Sequence, residues 1–186
     1  MSGEKQILFE SDEVARTIAR MTHEIIEKAG DLNALVLIGI RSRGVHLARR
    51  IARKIEELER IGLPLGILDL TAYRDDRSRE LEPLQSGPFQ TPVGVDGKTV
   101  VLIDDVIFRG RTIRAALDAV LQFGQPKRIL VAVLVDRGSR QLPIRADVIG
   151  KNIGAEEGDR VNVMLREADG IDQIALARWD RRSGRG

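Results

Sequence analysis

Cysteine is absent from all 186 positions, so neither a disulfide framework nor a thiolate metal site is available. No apolar run approaches the roughly 20 residues that a membrane-spanning helix requires, and membrane insertion is not expected. The opening residues, Met1-Ser2-Gly3-Glu4-Lys5-Gln6, lack an apolar signal core, and a cytoplasmic location is the expectation. There is no large excess of one charge either. The formal net charge is only +2, so any attraction to nucleic acid must come from local clusters such as Arg137–Lys151 and Arg178–Arg185. Internal repeats and low-complexity tracts are missing too. What remains, 42% hydrophobic and 31% charged residues, is ordinary for one globular domain of this length.

The apolar pattern alternates between strand and helix. Ser11 and Asp12 offer N-caps to a run in which Val14, Ile18, Met21, Ile25 and Ala29 recur at helical spacing, and Gly30 can close it. Ala34–Ile38 reads as a buried strand, followed by a glycine loop and a helix with Leu47, Ala48, Ile51, Ala52, Ile55 and Leu58 on one face. Leu65–Leu70 is a second apolar run, and Val100–Ile103 and Ile129–Val135 are further strands on either side of a helix over 112–123 that Gly124 and Pro126 end. Continuous apolar strands alternating with helices predict an α/β fold, a mainly parallel sheet flanked by helices, with ligands at the carboxyl ends of the strands. The loops 39–44, 104–111 and the segment from Asp136 onward become site candidates. The polar stretch from Tyr73 to Gly97 is too long for an idle connection. Short apolar runs at 146–149, 161–165 and 174–177 predict a small strand-rich hood. A single domain over 1–178 is expected, with the hood at about 136–165 and a basic, disordered tail at 179–186.

The segment Val100–Thr112 carries the chemistry. It sets Asp104 and Asp105 at the carboxyl end of a strand and a glycine turn just before a helix. The free amides and positive dipole end of a helix N-terminus bind phosphate, and Gly110 lets the backbone approach it. Thr112 adds a hydroxyl. Paired carboxylates suit the vicinal hydroxyls of a ribose or, through water, a Mg²⁺ ion. A phosphate cradle beside a diol acceptor describes ribose 5-phosphate. An exposed turn with an N-cap would explain the acids alone but not the whole arrangement.

That thirteen-residue pattern closely resembles the phosphoribosyl pyrophosphate (PRPP) signature of type I phosphoribosyltransferases. Gly39-Ile40-Arg41-Ser42-Arg43-Gly44 resembles the family's pyrophosphate loop, and Tyr73-Arg74-Asp75-Asp76 its closing lid. The run from Val135 to Asn152 resembles the hood of one branch, the bifunctional pyrimidine operon regulators that are also uracil phosphoribosyltransferases. The resemblance implies a type I phosphoribosyltransferase fold that makes UMP from uracil and PRPP, with Mg²⁺ carried on PRPP near Asp104 and Asp105. It implies that Asp104, Asp105 and Arg74 take part in catalysis. Ser42, Arg43, Val106, Ile107, Phe108, Arg109, Gly110, Arg111 and Thr112 would bind PRPP, and Arg137 and Val161 would line the uracil side. Loss of pyrophosphate leaves an electron-poor ribose centre that needs alignment and charge stabilisation rather than a nucleophile, which agrees with the missing Ser, Cys or His constellation.

The branch resemblance also implies UMP-dependent binding to pyrimidine operon leader mRNA through Arg20, His23, Arg140, Arg145 and Lys151, and a homodimer or higher homo-oligomer. Arg20 and His23 share one helix face at a spacing of three. Three departures from the pattern stand out. Arg109 stands where the family usually has threonine, Ser139 and Ala19 replace a histidine and a threonine of the RNA face, and Gly154-Ala155-Glu156-Glu157 replaces a Pro-Thr-Ser turn. Two alternatives stay open at this point: transfer to another base, since the phosphate-side loops do not read it, and an RNA-binding nucleotide sensor without turnover.

Overall fold

The computed structural model describes residues 5–70, 89–156 and 158–178. The tetrad at 73–76, with Arg74, and the tail at 179–186 lie outside them. The continuous aliphatic run forms strand β2, Leu35–Ile40, with every residue buried. It is preceded by β1 (Lys5–Phe9) and helix α1 (Ser11–Ala29) and followed by α2 (Arg43–Glu59) and β3 (Leu65–Leu68). Next come β4 (Phe89–Gln90), β5 (Thr99–Ile107), α3 (Arg111–Phe123) and β6 (Arg128–Asp136). The described chain ends in β7 (Val148–Asn152), β8 (Arg160–Met164), the short α4 (Arg166–Asp169) and β9 (Gln173–Ala177).

Six strands form the main sheet in the order β4-β3-β2-β5-β6-β7, all parallel except β4. Period-two alternation sends Leu35, Leu37, Val101 and Ile103 to one face, where Ile18, Met21 and Ile25 of α1 and Leu47, Ile51 and Ile55 of α2 cover them. Val36, Ile38, Val100 and Leu102 meet Ile113, Ala116 and Val120 of α3 on the other face. Burying each of these larger aliphatic side chains contributes about 1.5–3 kcal/mol, enough to explain why the strands are apolar throughout. The doubly covered α/β sheet expected from the sequence is present. No helix among the described residues is long and apolar enough to cross a membrane.

Several local details differ from expectation. The N-cap of α1 is Glu10, without a side-chain cap; Ser11 lies inside the first turn and its hydroxyl donates 2.9 Å to the Asp172 carbonyl. A serine one residue into a helix serves a tertiary partner more readily than its own first turn. The run at 146–149 leads into β7 and joins the main sheet through parallel pairing with β6. The second sheet, β1-β9-β8, is antiparallel and takes strands from both ends of the described chain. The expected hood range of 136–165 therefore contains only one of its three strands, because period-two patterns do not say which sheet a strand will join.

This small sheet is clamped to α2. Arg50 donates from Nε and Nη2 to Glu167 at 2.8 and 2.5 Å, and from Nη1 and Nη2 to Asp172 at 3.0 and 2.7 Å. The Arg50 hydrogen bond holds Glu167 below the usual carboxylate range against a smaller burial effect. Burial pushes Asp172 up, but Arg50 and the Arg166 amide outweigh it and leave the group depressed. Because both folded-state pKa values are lowered, the clamp is fully present above the ordinary carboxylate pKa of about 4 and is lost as pH falls through the depressed values. Arg50→Ala, which leaves Asp172 without its cation, should cost roughly 2 kcal/mol. Amide exchange of β8 and β9 should accelerate more than that of β2 and β5; uniform acceleration would contradict a local clamp.

Candidate active site at the carboxyl edge of the sheet

The strand carrying the two acids is longer than its apolar run. β5 continues beyond Ile103 to Ile107, and Asp104 pairs with Val133 and Ile107 with Asp136 of β6. Asp104 and Asp105 are thus held on the sheet rather than in the loop expected at 104–111. Asp104 is only 4% exposed, and its Oδ1 accepts from the Asp105 amide at 2.9 Å. Asp105 is half-buried. β6 continues to pair with β5 beyond Ile103, which is why the acids stay in the ladder.

Beyond Ile107 the backbone turns through Gly110, whose φ of +89° lies in the left-handed region, where a side chain would be strained. Gly110 caps α3, and no side chain caps the helix's first turn. Residues 106–113 line a cavity of about 200 Å³ at this helix start. All seven residues expected to bind PRPP through this loop, Val106 to Thr112, are in that lining.

The loop at 41–44 comes to the same edge from the neighbouring strand. Ser42 is exposed at the N-cap of α2, after a cis Arg41–Ser42 peptide. Gly44 sits directly on β5. A Cβ there would be driven into the Ile103 carbonyl oxygen and to 3.2 Å from Asp104 Cα. The backbone thus brings Ser42 and Arg43 beside the acids only because position 44 has no side chain. Arg41 pairs with buried Asp69 at 3.0 Å, and Arg43 with Asp169 of α4 at 2.7 Å.

The segment after β6 roofs the phosphate-side cavity. Arg109 O accepts from the Gln141 and Leu142 amides, and Arg111 Nε donates 3.0 Å to Gln141 Oε1. Arg140 ties the roof together: its guanidinium reaches Ile144 O at 2.9 Å, Phe108 O at 2.7 Å and Asp136 Oδ2 at 2.6 Å. Arg137 stacks on the Phe108 ring, with 3.8 Å from Cζ to the centroid, and donates from Nη2 to Glu156 O at 3.0 Å. Arg109 is 5.1 Å from the same ring. Burial lowers the Arg137 pKa, Asp159 opposes that, and Arg109 adds to it. Val161 on β8 is half-buried and packs against the core below α1 and α2.

The residues expected to form an RNA face do not share one condition. His23 and Arg145 are exposed. Arg20 donates to the carbonyls of Ile149 and Gly150 at 3.0 and 2.5 Å and has Glu24 at 3.5 Å, with its side chain still 54% exposed. Lys151 pairs with Glu13 at 2.5 Å and lies 4.4 Å from the Phe9 ring centroid. Arg140 has every guanidinium nitrogen engaged in the roof. Sequence reading missed Asp69, Asp136 and Asp169, the acids that hold Arg41, Arg140 and Arg43. Isolated acids at such distances along the chain give no local signal of a partner.

Comparison with known proteins agrees with this arrangement. The family model described as the phosphoribosyl transferase domain matches residues 6–161. The chain belongs to the phosphoribosyltransferase family, and its solved structural neighbours share the type I fold. A hypoxanthine phosphoribosyltransferase from Trypanosoma cruzi superposes with a TM-score of 0.71 at 19% identity, covering 94% of this chain and 97% of that one. One from Staphylococcus aureus gives 0.67 at 15%, covering 96% and 94%. Within the family the chain belongs to the bifunctional PyrR proteins. The Chloroflexus aurantiacus member is 51% identical over 178 residues, 96% of this chain and 97% of that protein, and the Roseiflexus member 48% over 184 residues, 98% and 100%.

Gly44→Ala should force α2 away from β5 at an overpacking cost of about 1–3 kcal/mol. At this chain length that is a fall of roughly 3–10 °C in Tm. Thermal unfolding measures it, and an unchanged midpoint would contradict the close approach.

Proposed function

We propose that the chain transfers a 5-phosphoribosyl group from PRPP to uracil, giving UMP and pyrophosphate, and regulates pyrimidine genes by UMP-dependent binding to leader mRNA. The observation that carries the transferase half is the uncapped start of α3 beyond Gly110, with Asp104 and Asp105 just upstream on the adjoining strand. The 5-phosphate lies on the amides of the 108–112 turn, with the Thr112 hydroxyl and the Arg109 guanidinium beside it. Asp105 and Asp104 accept from the ribose hydroxyls. Ser42, Arg43 and the amides of their loop hold pyrophosphate, and Arg74, in the expected lid, lies outside the described residues. Arg137 and Val161 border the uracil.

Mg²⁺ enters as part of the substrate. Among the described residues no group of three or more acids or histidines could hold an ion unaided. Two carboxylates with the oxygens of a pyrophosphate fit an ion that keeps several waters and is shared between protein and phosphate. Departure of Mg²⁺-pyrophosphate breaks the C1′–O bond while uracil N1 forms the new bond and gives up its proton to the departing pyrophosphate or to water, and the residues named above align the two and offset the departing charge.

Uracil as the acceptor base is supported by the 135–152 resemblance and by the PyrR relatives at 47–51% identity. A panel of bases with labelled PRPP tests it. Turnover of uracil is expected, and turnover of guanine or hypoxanthine without uracil would sink the assignment. Asp105→Asn should lower kcat/KM for PRPP about 10- to 100-fold, the effect of losing a hydrogen bond to a charged acceptor, with Tm nearly kept. Unchanged kinetics would remove the acid from the site.

For the RNA half, exposed His23 and Arg145 are the informative pair. His23→Ala with Arg145→Gln should weaken leader RNA binding and flatten its salt dependence by about one unit of slope, while sparing uracil turnover. Arg140→Gln, by contrast, unhooks the roof over the 106–113 cavity and should lower turnover itself. A variant at Arg140 that lost RNA alone would reverse that assignment. Tight UMP-dependent RNA binding without uracil turnover would instead make the chain a sensor.

A further inference from the structure

Arg43 begins α2, one residue after Ser42, and reaches across to α4. Its Nε donates to Asp169 Oδ2 at 3.0 Å and its Nη2 to Asp169 Oδ1 at 2.7 Å, a planar fork between residues 126 apart in the chain. Asp169 is itself fixed, since Oδ2 also accepts from the Leu165 amide at 2.9 Å. The fork uses one edge of the guanidinium. Among the described residues, no carboxylate or carbonyl takes the Nη1 edge. Asp105 lies near enough to act on Arg43 through space, in the same sense as Asp169, so both acids favour the charged form. The cation is therefore oriented by groups outside its own loop.

A free arginine loses rotamer freedom when it closes on a phosphate; one already held by a fork has lost it beforehand. We propose that Asp169 is a positioning residue for the pyrophosphate group: it fixes one edge of Arg43 and presents the Nη1 edge to the leaving group. Asp169 touches no substrate atom in this scheme. The inference rests on the reading of Arg43 as a pyrophosphate ligand. It also gives α4 a role beyond attachment, since Arg50, Glu167 and Asp172 already clamp the small sheet to α2.

Asp169→Asn separates the two roles. The amide keeps an oxygen for the Leu165 N–H but cannot form the charged fork. The expected result is a three- to tenfold rise in KM for PRPP and in the inhibition constant of pyrophosphate, with kcat and KM for uracil within twofold of the starting values. Glu167→Gln, which loosens the neighbouring clamp without touching Arg43, should leave KM for PRPP unchanged. In an Arg43→Gln background the Asp169→Asn effect should vanish, whereas a folding defect would persist there and would show in the melting temperature.

Equal rises for PRPP and uracil in Asp169→Asn, or equal effects of Asp169→Asn and Glu167→Gln, would overturn the positioning role and leave a structural clamp. If Arg43→Gln raises KM for PRPP and Asp169→Asn does not, the positioning role fails alone. If Arg43→Gln itself changes nothing, the underlying reading of Arg43 fails first.

Discussion

The contact between Gly44 and β5 is the constraint on which the rest of the site depends. A parallel sheet presents its carboxyl ends to ligand, but neighbouring strand ends are separated by the bulk of the helices that follow them. Removing one Cβ at the first turn of α2 lets that helix lie on the Ile103 carbonyl and brings Arg43 within electrostatic range of Asp105. Two loops of different strands then meet at one edge of the sheet. Neither loop has enough chemistry alone: one carries acids and a glycine turn at a helix start, the other cations and backbone amides.

Around this edge, charge is organised by long-range pairs. Arg41 is held by Asp69, Arg43 by Asp169, Arg50 by Glu167 and Asp172, and Arg140 by Asp136. Surface ion pairs contribute little to stability, but several of these acids are buried or nearly so, and Arg43 and Arg50 use paired nitrogens. Their main consequence is geometric. A guanidinium with one edge committed to an acid has a defined remaining edge, and an element tied through such a fork cannot drift from its neighbour without exposing an unpaired charge. The small sheet and the roof at 136–145 are both fastened in this way.

The sheet and its helices were legible in the sequence because apolar periodicity reports burial directly: Leu35–Ile40 and Val101–Ile103 are buried on both faces, and so are uninterrupted. The phosphate turn was legible for a different reason. Gly110 takes a left-handed φ at the start of α3 and the acids precede it on the strand that leads there, so the arrangement leaves a contiguous motif. What could not be seen were pairings across large separations. β1 and β9 join the two ends of the described chain, Arg43 meets an acid 126 residues away, and Arg140, which reads as one more cation on a basic stretch, has each guanidinium nitrogen hydrogen-bonded within the roof. A basic cluster records charge, not whether each charge is spent. Phe9 and Lys151 likewise meet only through the fold.

Arg109 shows how a departure from a motif becomes intelligible at the level of the site. Its backbone carbonyl is used by the roof, accepting from the Gln141 and Leu142 amides, so replacing the side chain at this position leaves the turn's hydrogen bonding intact. The guanidinium stays exposed and near Phe108, the ring on which Arg137 is stacked. Two cations lie against one aromatic ring, which attracts each of them while they repel one another. That repulsion, added to burial, lowers the Arg137 pKa, and Asp159 only partly offsets it. Positive charge is therefore concentrated around Phe108. Under the proposed function, Arg109 would add long-range attraction for a phosphorylated ligand where a hydroxyl would have offered one short-range hydrogen bond.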